Sequence, residues 1–264
     1  MKQSEAAAGS GRRAGNRRAG PSQAMQRWAR GVVGLLLALL AVPALAGDRA
    51  LIDFIGYSAD NRYFAFEEFG IQDGSGFAYS NIFVVDLTTD SWVIGTPVRV
   101  QAESEEKTLS DIRAEVADRA ASHVESFGIH VPVEIAAIIG DGTPGTDGRS
   151  LRFGAPGYGP GQVSGDYTIT LTSFPTTSAS PCSDWFGVEP EGYELNITDK
   201  GSERLIHRDG SLPRSRGCPL DYRIYGVVMP FMSPSIANAV AIISVYPGGF
   251  EGPDRRFLAV PLGL

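Results

Sequence analysis

The sequence predicts a mainly β protein built of antiparallel meanders of short strands, propeller-like or sandwich-like, with one amphipathic helix inserted at about 108–127. Three observations carry that expectation. Apolar and polar residues alternate with period two in many short segments rich in β-branched and aromatic side chains. Gly and Pro, 49 residues together, punctuate nearly every gap between those segments. From Leu109 onward the spacing changes to three- and four-residue steps, the period of a helix.

Residues 1–46 read as a leader. They hold seven basic residues and one acidic residue, Glu5, and an unbroken apolar run from Val32 to Val42 ends in Pro43-Ala44-Leu45-Ala46. A basic head, a short apolar stretch and small residues before the cut make a secretory signal peptide. The run is too short for a membrane span, which needs about 20 apolar residues, so no span is expected in the mature protein. Met25 opens a complete signal peptide by itself, so residues 25–46 are the expected signal, and residues 1–24 are a disordered extension or a misassigned start. The pairs Arg12-Arg13 and Arg17-Arg18 lie too far before the apolar run, and lack the apolar residues that should follow them, to argue for twin-arginine export. Cleavage before Gly47 leaves one mainly β domain, 47–264, in a periplasmic or secreted setting.

The cut changes the charge balance. The whole chain has 23 basic and 30 acidic residues; without the leader 16 basic and 29 acidic remain, a net of −13. A folded surface of that sign repels nucleic acid and anionic lipid, which excludes nucleic acid as the expected partner. Two cysteines are left, Cys182 and Cys218. In an exported protein an isolated pair reads first as one disulfide. A reactive thiol or half a metal site is the alternative, though the spacing fits no zinc pattern and no histidine is close in sequence.

In chain order, Leu51–Ile55 is a strand and Tyr57-Ser-Ala-Asp-Asn61 a turn in which Asp60 and Asn61 tolerate positive φ. Strands follow at 63–69, 82–87 and 92–100, with turns at Asp73-Gly-Ser-Gly76 and Thr88-Thr-Asp90. In the helix, Leu109, Ile112, Val116, Ala120, Val124 and Phe127 form one apolar stripe; Thr108 with Asp111 caps its start, and Gly128 ends it in a left-handed turn. After a loop at 141–148, strands are expected near 151–153, 167–174, 193–198, 203–207, 222–229, 239–246 and 257–260. Three strand–loop–strand units look alike: Tyr63 to Leu87, Tyr167 to His207 and Ala239 to Leu262. Their uneven spacing is also what an ordinary meander would give.

The phrase Tyr57-Ser-Ala-Asp-Asn-Arg-Tyr-Phe-Ala-Phe-Glu-Glu68, with Ile82 to Leu87, resembles a propeller blade of the TolB or WD40-like kind. A wider resemblance covers nearly the whole mature chain. Together with that first block, Asp73-Gly-Ser-Gly-Phe77, Leu151-Arg-Phe-Gly154, Ser215-Arg-Gly-Cys-Pro219 and Gly249-Phe-Glu-Gly-Pro-Asp-Arg-Arg-Phe257 are similar to an uncharacterised family of predicted secreted bacterial proteins, domain of unknown function 2259. Asp60-Asn61 departs from the Asp-Gly of that family's first turn, conservatively, since Asn also enters the left-handed region. The resemblance implies export and a shared fold, and no activity.

Chemistry-bearing residues form no recognisable set. His123, His130 and His207 are the only histidines, and His-Glu-x-x-His is absent. Gly-x-Ser-x-Gly is absent too; Gly56-Tyr-Ser-Ala-Asp60 is the nearest phrase, although a triad can assemble from distant positions. Glu67 and Glu68, adjacent in a strand, should point to opposite faces, which rules out joint acid–base work and reads as a solvated pair at a strand end. The loops beginning at Asp73 and Asp141 offer oxygen ligands without an EF-hand pattern, so no metal and no cofactor is expected. Arg214-Ser-Arg216 and Asp254-Arg-Arg256 could hold an anion, or pair internally with Asp221, Glu251 or Asp254. With Phe77, Tyr79, Trp185, Phe186 and Phe250 in loops, the weak candidates for binding are Asp73, Trp185, Arg216, Arg255 and Arg256. The expectation is a non-enzymatic exported domain that binds an envelope protein or glycan through its loops; the alternative is a periplasmic hydrolase with a site assembled from scattered residues.

Overall fold

The computed structural model describes residues 47–249 and 251–263. The leader and the loop residue Phe250 lie outside the described residues. The fold is mainly β and antiparallel, as expected, in its sandwich-like form.

A first sheet runs β4-β3-β2-β1-β6, with β5 also paired to β3: β1 (Leu51–Ser58), β2 (Tyr63–Ile71), β3 (Ala78–Asp86), β4 (Ser91–Trp92), β5 (Val98–Gln101) and β6 (Ile129–Val131). The second sheet, in the order β11-β10-β9-β8, holds β8 (Ser150–Pro156), β9 (Val163–Pro175), β10 (Glu191–Asp199) and β11 (Ser202–Arg208). The third, ordered β14-β13-β12-β7, holds β7 (Val133–Ile138), β12 (Pro219–Pro230), β13 (Val240–Pro247) and β14 (Arg256–Pro261). The three look-alike units therefore fall in three different sheets.

Burial fixes the layer order. Along β13, Val240 and Ile242 pack with Phe64, Phe66 and Phe83 of the first sheet, while Ala241 and Ile243 pack with Ile169, Leu195 and Ile197 of the second. The third sheet is thus the middle layer, apolar on both faces, which is why Val240-Ala-Ile-Ile243 reads as a continuous apolar run. In β12 the inward set switches from Tyr222 and Ile224 to Val227 and Met229 because a bulge intervenes between Ile224 and Gly226. The stack is open at its ends. Helix α1 (Leu109–Ser126) covers the outer face of the first sheet through Ile112, Val116 and Ala120, and much of the outer face of β11 meets solvent.

Helix α1 forms where its stripe predicts it. Thr108 and Asp111 make a reciprocal capping box, and Gly128 takes φ +61° just past the end. Asn61 takes the left-handed turn position at φ +57°. Two expectations are corrected. The strand at 92–100 is broken: Trp92 faces Val85 and Val98 faces Ile82, so residues between them are extruded from the ladder, and Pro97 has no N–H to continue it. Residues 129–138 add two unexpected strands, β6 and β7, which carry the chain from the first sheet to the middle one through Pro132.

Cys182, in the short helix α2 (Cys182–Phe186), is bonded to Cys218 just before β12, closing a loop of sequence separation 36. Removing the bridge as Cys182→Ser with Cys218→Ser should lower stability by about 4 kcal/mol at most on the chain-entropy model, read from the urea midpoint. Ile242→Ala and Ile243→Ala, on opposite faces of β13, should each cost roughly 2–5 kcal/mol in the same assay, whereas Leu205→Ala on the solvent side should cost about 0.5 kcal/mol or less. A small loss at either Ile would contradict burial on both faces.

Candidate functional site

Beyond β14, the free edge of the middle sheet, the first and second sheets approach each other and leave a cleft with two lobes. The first, about 260 Å³, is lined by Asp90 and Trp92, by Tyr193 and His207, by Ser215 and Arg216, and by the edge residues Leu258 to Val260. The second, about 220 Å³, shares Trp92, Ser215, Arg216 and Leu258 and adds Glu68, Asn81, Phe83, Arg99 and Arg256. Trp92 stands in the common wall because the ladder breaks just after it; it is 39% exposed and meets Phe83 edge-on.

His207 lies near the end of β11, stacked on Tyr193 with ring centroids 4.7 Å apart. Its Nε2 is 3.0 Å from Asp209 Oδ1 and its Nδ1 3.6 Å from Asp90 Oδ2. Burial pushes the imidazolium pKa down, but the bonds to Asp209 and Asp90 outweigh it and raise it to about 9. At neutral pH the ring is a cation held between two carboxylates. Among the described residues no serine stands on either nitrogen.

Arg216 ends a 3-10 turn (Arg214–Arg216), followed by Gly217 at φ +68° and then by the bridged Cys218. Its side chain is 14% exposed. Nη1 donates to Tyr222 Oη at 3.5 Å and lies 3.5 Å from Asp209 Oδ2, both at the outer limit of contact. Asp209 is already taken by His207 and by the Tyr193 N–H at 3.0 Å. A guanidinium has five N–H donors, so among the described residues most of this fork is unspent and is left for the cleft. Arg255 is the contrast. Only 8% exposed, it donates through Nε and Nη2 to Ala50 O at 2.8 and 2.5 Å and through Nη1 to Asp141 at 2.5 Å. Arg255 straps the first residues of the described chain to the 141–148 loop.

The second lobe contains the clearest departure from the sequence expectation. Glu67 and Glu68 do point to opposite faces, but neither is solvated. Glu67 faces α1, where Arg113 donates to it at 2.9 and 2.7 Å and Ser80 Oγ at 2.7 Å. Glu68, 2% exposed, faces the cleft and accepts the Phe257 N–H at 2.8 Å and Asn81 Nδ2 at 3.4 Å. Burial raises its pKa to about 6, against the pull of Arg256 and the Phe257 N–H. Arg256 is spent on Asp48 at 2.8 Å, Asp254 at 3.3 Å and Tyr79 Oη at 3.2 Å.

Of the residues singled out in the sequence, the cleft gathers Arg216 and Arg256 and leaves out Asp73, Trp185 and Arg255. Asp73 sits in the β2–β3 turn with Oδ2 buried and no partner among the described residues. Trp185 is 62% exposed on α2, T-shaped against Phe186. Tyr79 is buried in β3 and Phe77 packs beside the α1 core, so neither is an exposed loop aromatic. Asp141 is engaged by Arg49, Arg255 and Tyr246. Among the described residues no three His, Cys, Asp or Glu side chains converge in a way that could hold a metal ion, and no helix is long and apolar enough to cross a membrane. Sequence reasoning took Trp92 only as a strand residue and passed over Asp90, Arg99 and the inward face of Glu68.

Because the folded pKa of His207 lies above its ordinary 6.5, the stability it contributes is complete below about pH 6.5 and is lost as pH rises through 9. Thermal unfolding of the wild type should therefore weaken across that window, and His207→Gln should flatten the profile. An NMR titration midpoint for His207 at or below 6.5 would refute the double carboxylate clamp.

No curated protein matches the chain. Among known families, the one described as predicted secreted protein (DUF2259) matches over residues 65–262, a span that takes in β3 to β14, all but the start of β2 and every cleft residue named above. With three-quarters of its length inside that match, the chain belongs to the DUF2259 family of predicted secreted proteins.

Proposed function

We propose that the mature protein, residues 47–264, is a single exported domain working in the periplasm, where it binds an envelope glycan in the three-sheet cleft without catalysing a reaction. The observation that carries this reading is Arg216, a nearly buried guanidinium whose donors are largely unspent, beside the part-exposed face of Trp92. Sugars present C–H faces that pack on an aromatic ring and hydroxyls that accept and donate hydrogen bonds; Arg216, Asn81 and Ser215 supply the polar side of that match. Each lobe lies below the roughly 300 Å³ at which drug-sized pockets begin, which favours one ring per lobe over a large ligand. An oxidising compartment fits the Cys182–Cys218 bridge. The clamp on His207 argues against the hydrolase alternative, since an imidazolium held by two carboxylates is a poor base for a serine.

Isothermal titration calorimetry with solubilised cell-wall oligosaccharides tests the reading. Saturable heat is expected, weakened roughly tenfold or more by Trp92→Ala and unchanged by Trp185→Ala. Loss of binding in Trp185→Ala alone would move the site to the outer surface, and no saturable heat at all would end the proposal.

A further inference from the structure

We infer that the cleft selects a sugar bearing a carboxylate, with the carboxylate held by Arg216 and Arg99 and the ring laid against Trp92. This rests on the glycan-binding reading and names the part of the glycan that the site takes. The domain carries 29 acidic against 16 basic residues, so its general surface repels anions. Yet three guanidiniums, of Arg99, Arg216 and Arg256, line one small lobe. Arg256 is consumed by Asp48, Asp254 and Tyr79. Arg99, exposed on β5, has no side-chain partner among the described residues. Arg216 keeps most of its fork.

The acids at the cleft are in the opposite condition. Asp90 faces His207, and Glu68 holds the Phe257 N–H with one oxygen and Asn81 with the other. Arg99 and Arg216 hold unspent donors while Glu68 has both oxygens engaged, so the complementary ligand is rich in acceptors and negatively charged. Guanidinium pairs with carboxylate in a fork-to-fork geometry. A singly charged carboxylate matches the surplus, whereas a dianionic phosphate would bring a second charge toward Glu68.

The test uses the exported protein carrying Trp185→Phe, which leaves Trp92 as the only tryptophan of residues 47–264 and hence the fluorescence reporter. It is titrated with glucuronate and N-acetylmuramate, with their neutral counterparts glucose and N-acetylglucosamine, and with acetate and phosphate. At least one acidic sugar should give a saturable change, roughly tenfold tighter than its neutral counterpart. Arg216→Lys should weaken it roughly tenfold, because an ammonium cannot reproduce the planar fork. Arg99→Gln, an exposed change that leaves the core intact, should weaken it roughly two- to fivefold at low salt, so the inference stays falsifiable if the Arg216 variant fails to fold. Equal affinity for acidic and neutral sugars would overturn acid selection and leave the glycan reading standing. Binding of acetate or phosphate without any acidic sugar would overturn it in favour of a plain anion site. Silence from every probe would sink both readings.

Discussion

The architecture depends on the middle sheet being apolar on both faces. Strands β12 and β13 send Val228, Val240 and Ile242 one way and Val227, Ala241 and Ile243 the other, so the sheet needs a cover on each side. The covers come from the first and second sheets, and their spacing is set by the layer between them. Where that layer ends, at β14, the covers overhang a free sheet edge. An open edge exposes unpaired N–H and C=O groups and invites pairing with another strand. Here side chains take over the pairing: Glu68 accepts the Phe257 N–H and Arg204 donates to Leu262 O. The cleft is therefore a consequence of the layering, and Glu68 is part of the edge's finish. Its raised pKa is the cost of burying a carboxylate for that purpose.

Electrostatics then divides the buried charges into two kinds. Some are closed among themselves: Arg255 with Asp141 and Ala50 O, Arg113 with Glu67 and Asp53, Arg256 with Asp48 and Asp254. Removing one member of such a set leaves its partner without a counter-charge, so these sets fix residues 48–50, the 141–148 loop and helix α1 against the sheets. Around His207 the balance is different. Asp209 is shared by an imidazolium, a guanidinium and a backbone N–H, and Asp90 stands on the other side of the imidazolium. His207 and Arg216 are matched in charge by Asp209 and Asp90, so the cation left over on the cleft wall is Arg99, which has no partner among the described residues, and that local feature, not the global sign, governs what approaches.

The β class, the helix with both of its ends, and most strands were legible in the sequence because each depends on neighbours within a few residues. Thr108 and Asp111 are three apart, and the alternation in Tyr63 to Phe69 is visible without knowing the partner strand. Strands β6 and β7 were not, since Pro132 interrupts a stretch that would otherwise read as one apolar run. The solvated reading of Glu67 and Glu68 failed for a related reason. Carboxylates look exposed until Arg113 and the Phe257 N–H are known to sit opposite them, and those contacts are long-range. The layer order left one trace, the unbroken Val240 to Ile243 run, which signals burial on both faces. The cleft left less. Arg216 and Arg256 stood out as arginine clusters, but nothing in the chain marks Trp92 as a wall residue or joins Asp90 to His207.

The disulfide connects compartment to site. Its closed loop runs from Cys182 through β10 and β11 to Cys218, and so contains Tyr193, His207, Asp209 and Arg216. These residues must hold their mutual positions although two of them, Asp209 and Arg216, sit beyond the last strand of the second sheet, on a segment tied back by Leu212 to Thr177 and Ala179 and by Gly217 O to Ser178 Oγ. Covalent closure reduces the freedom of that segment in the unfolded chain and pins Arg216 two residues from the bond. A reducing compartment would remove that restraint from the stretch of backbone that carries Arg216. Oxidation thus does more for the cleft than for the core, because the middle sheet is held by apolar burial on both faces, whereas the segment that carries Arg216 is held by the bridge together with a few hydrogen bonds to residues 177–179.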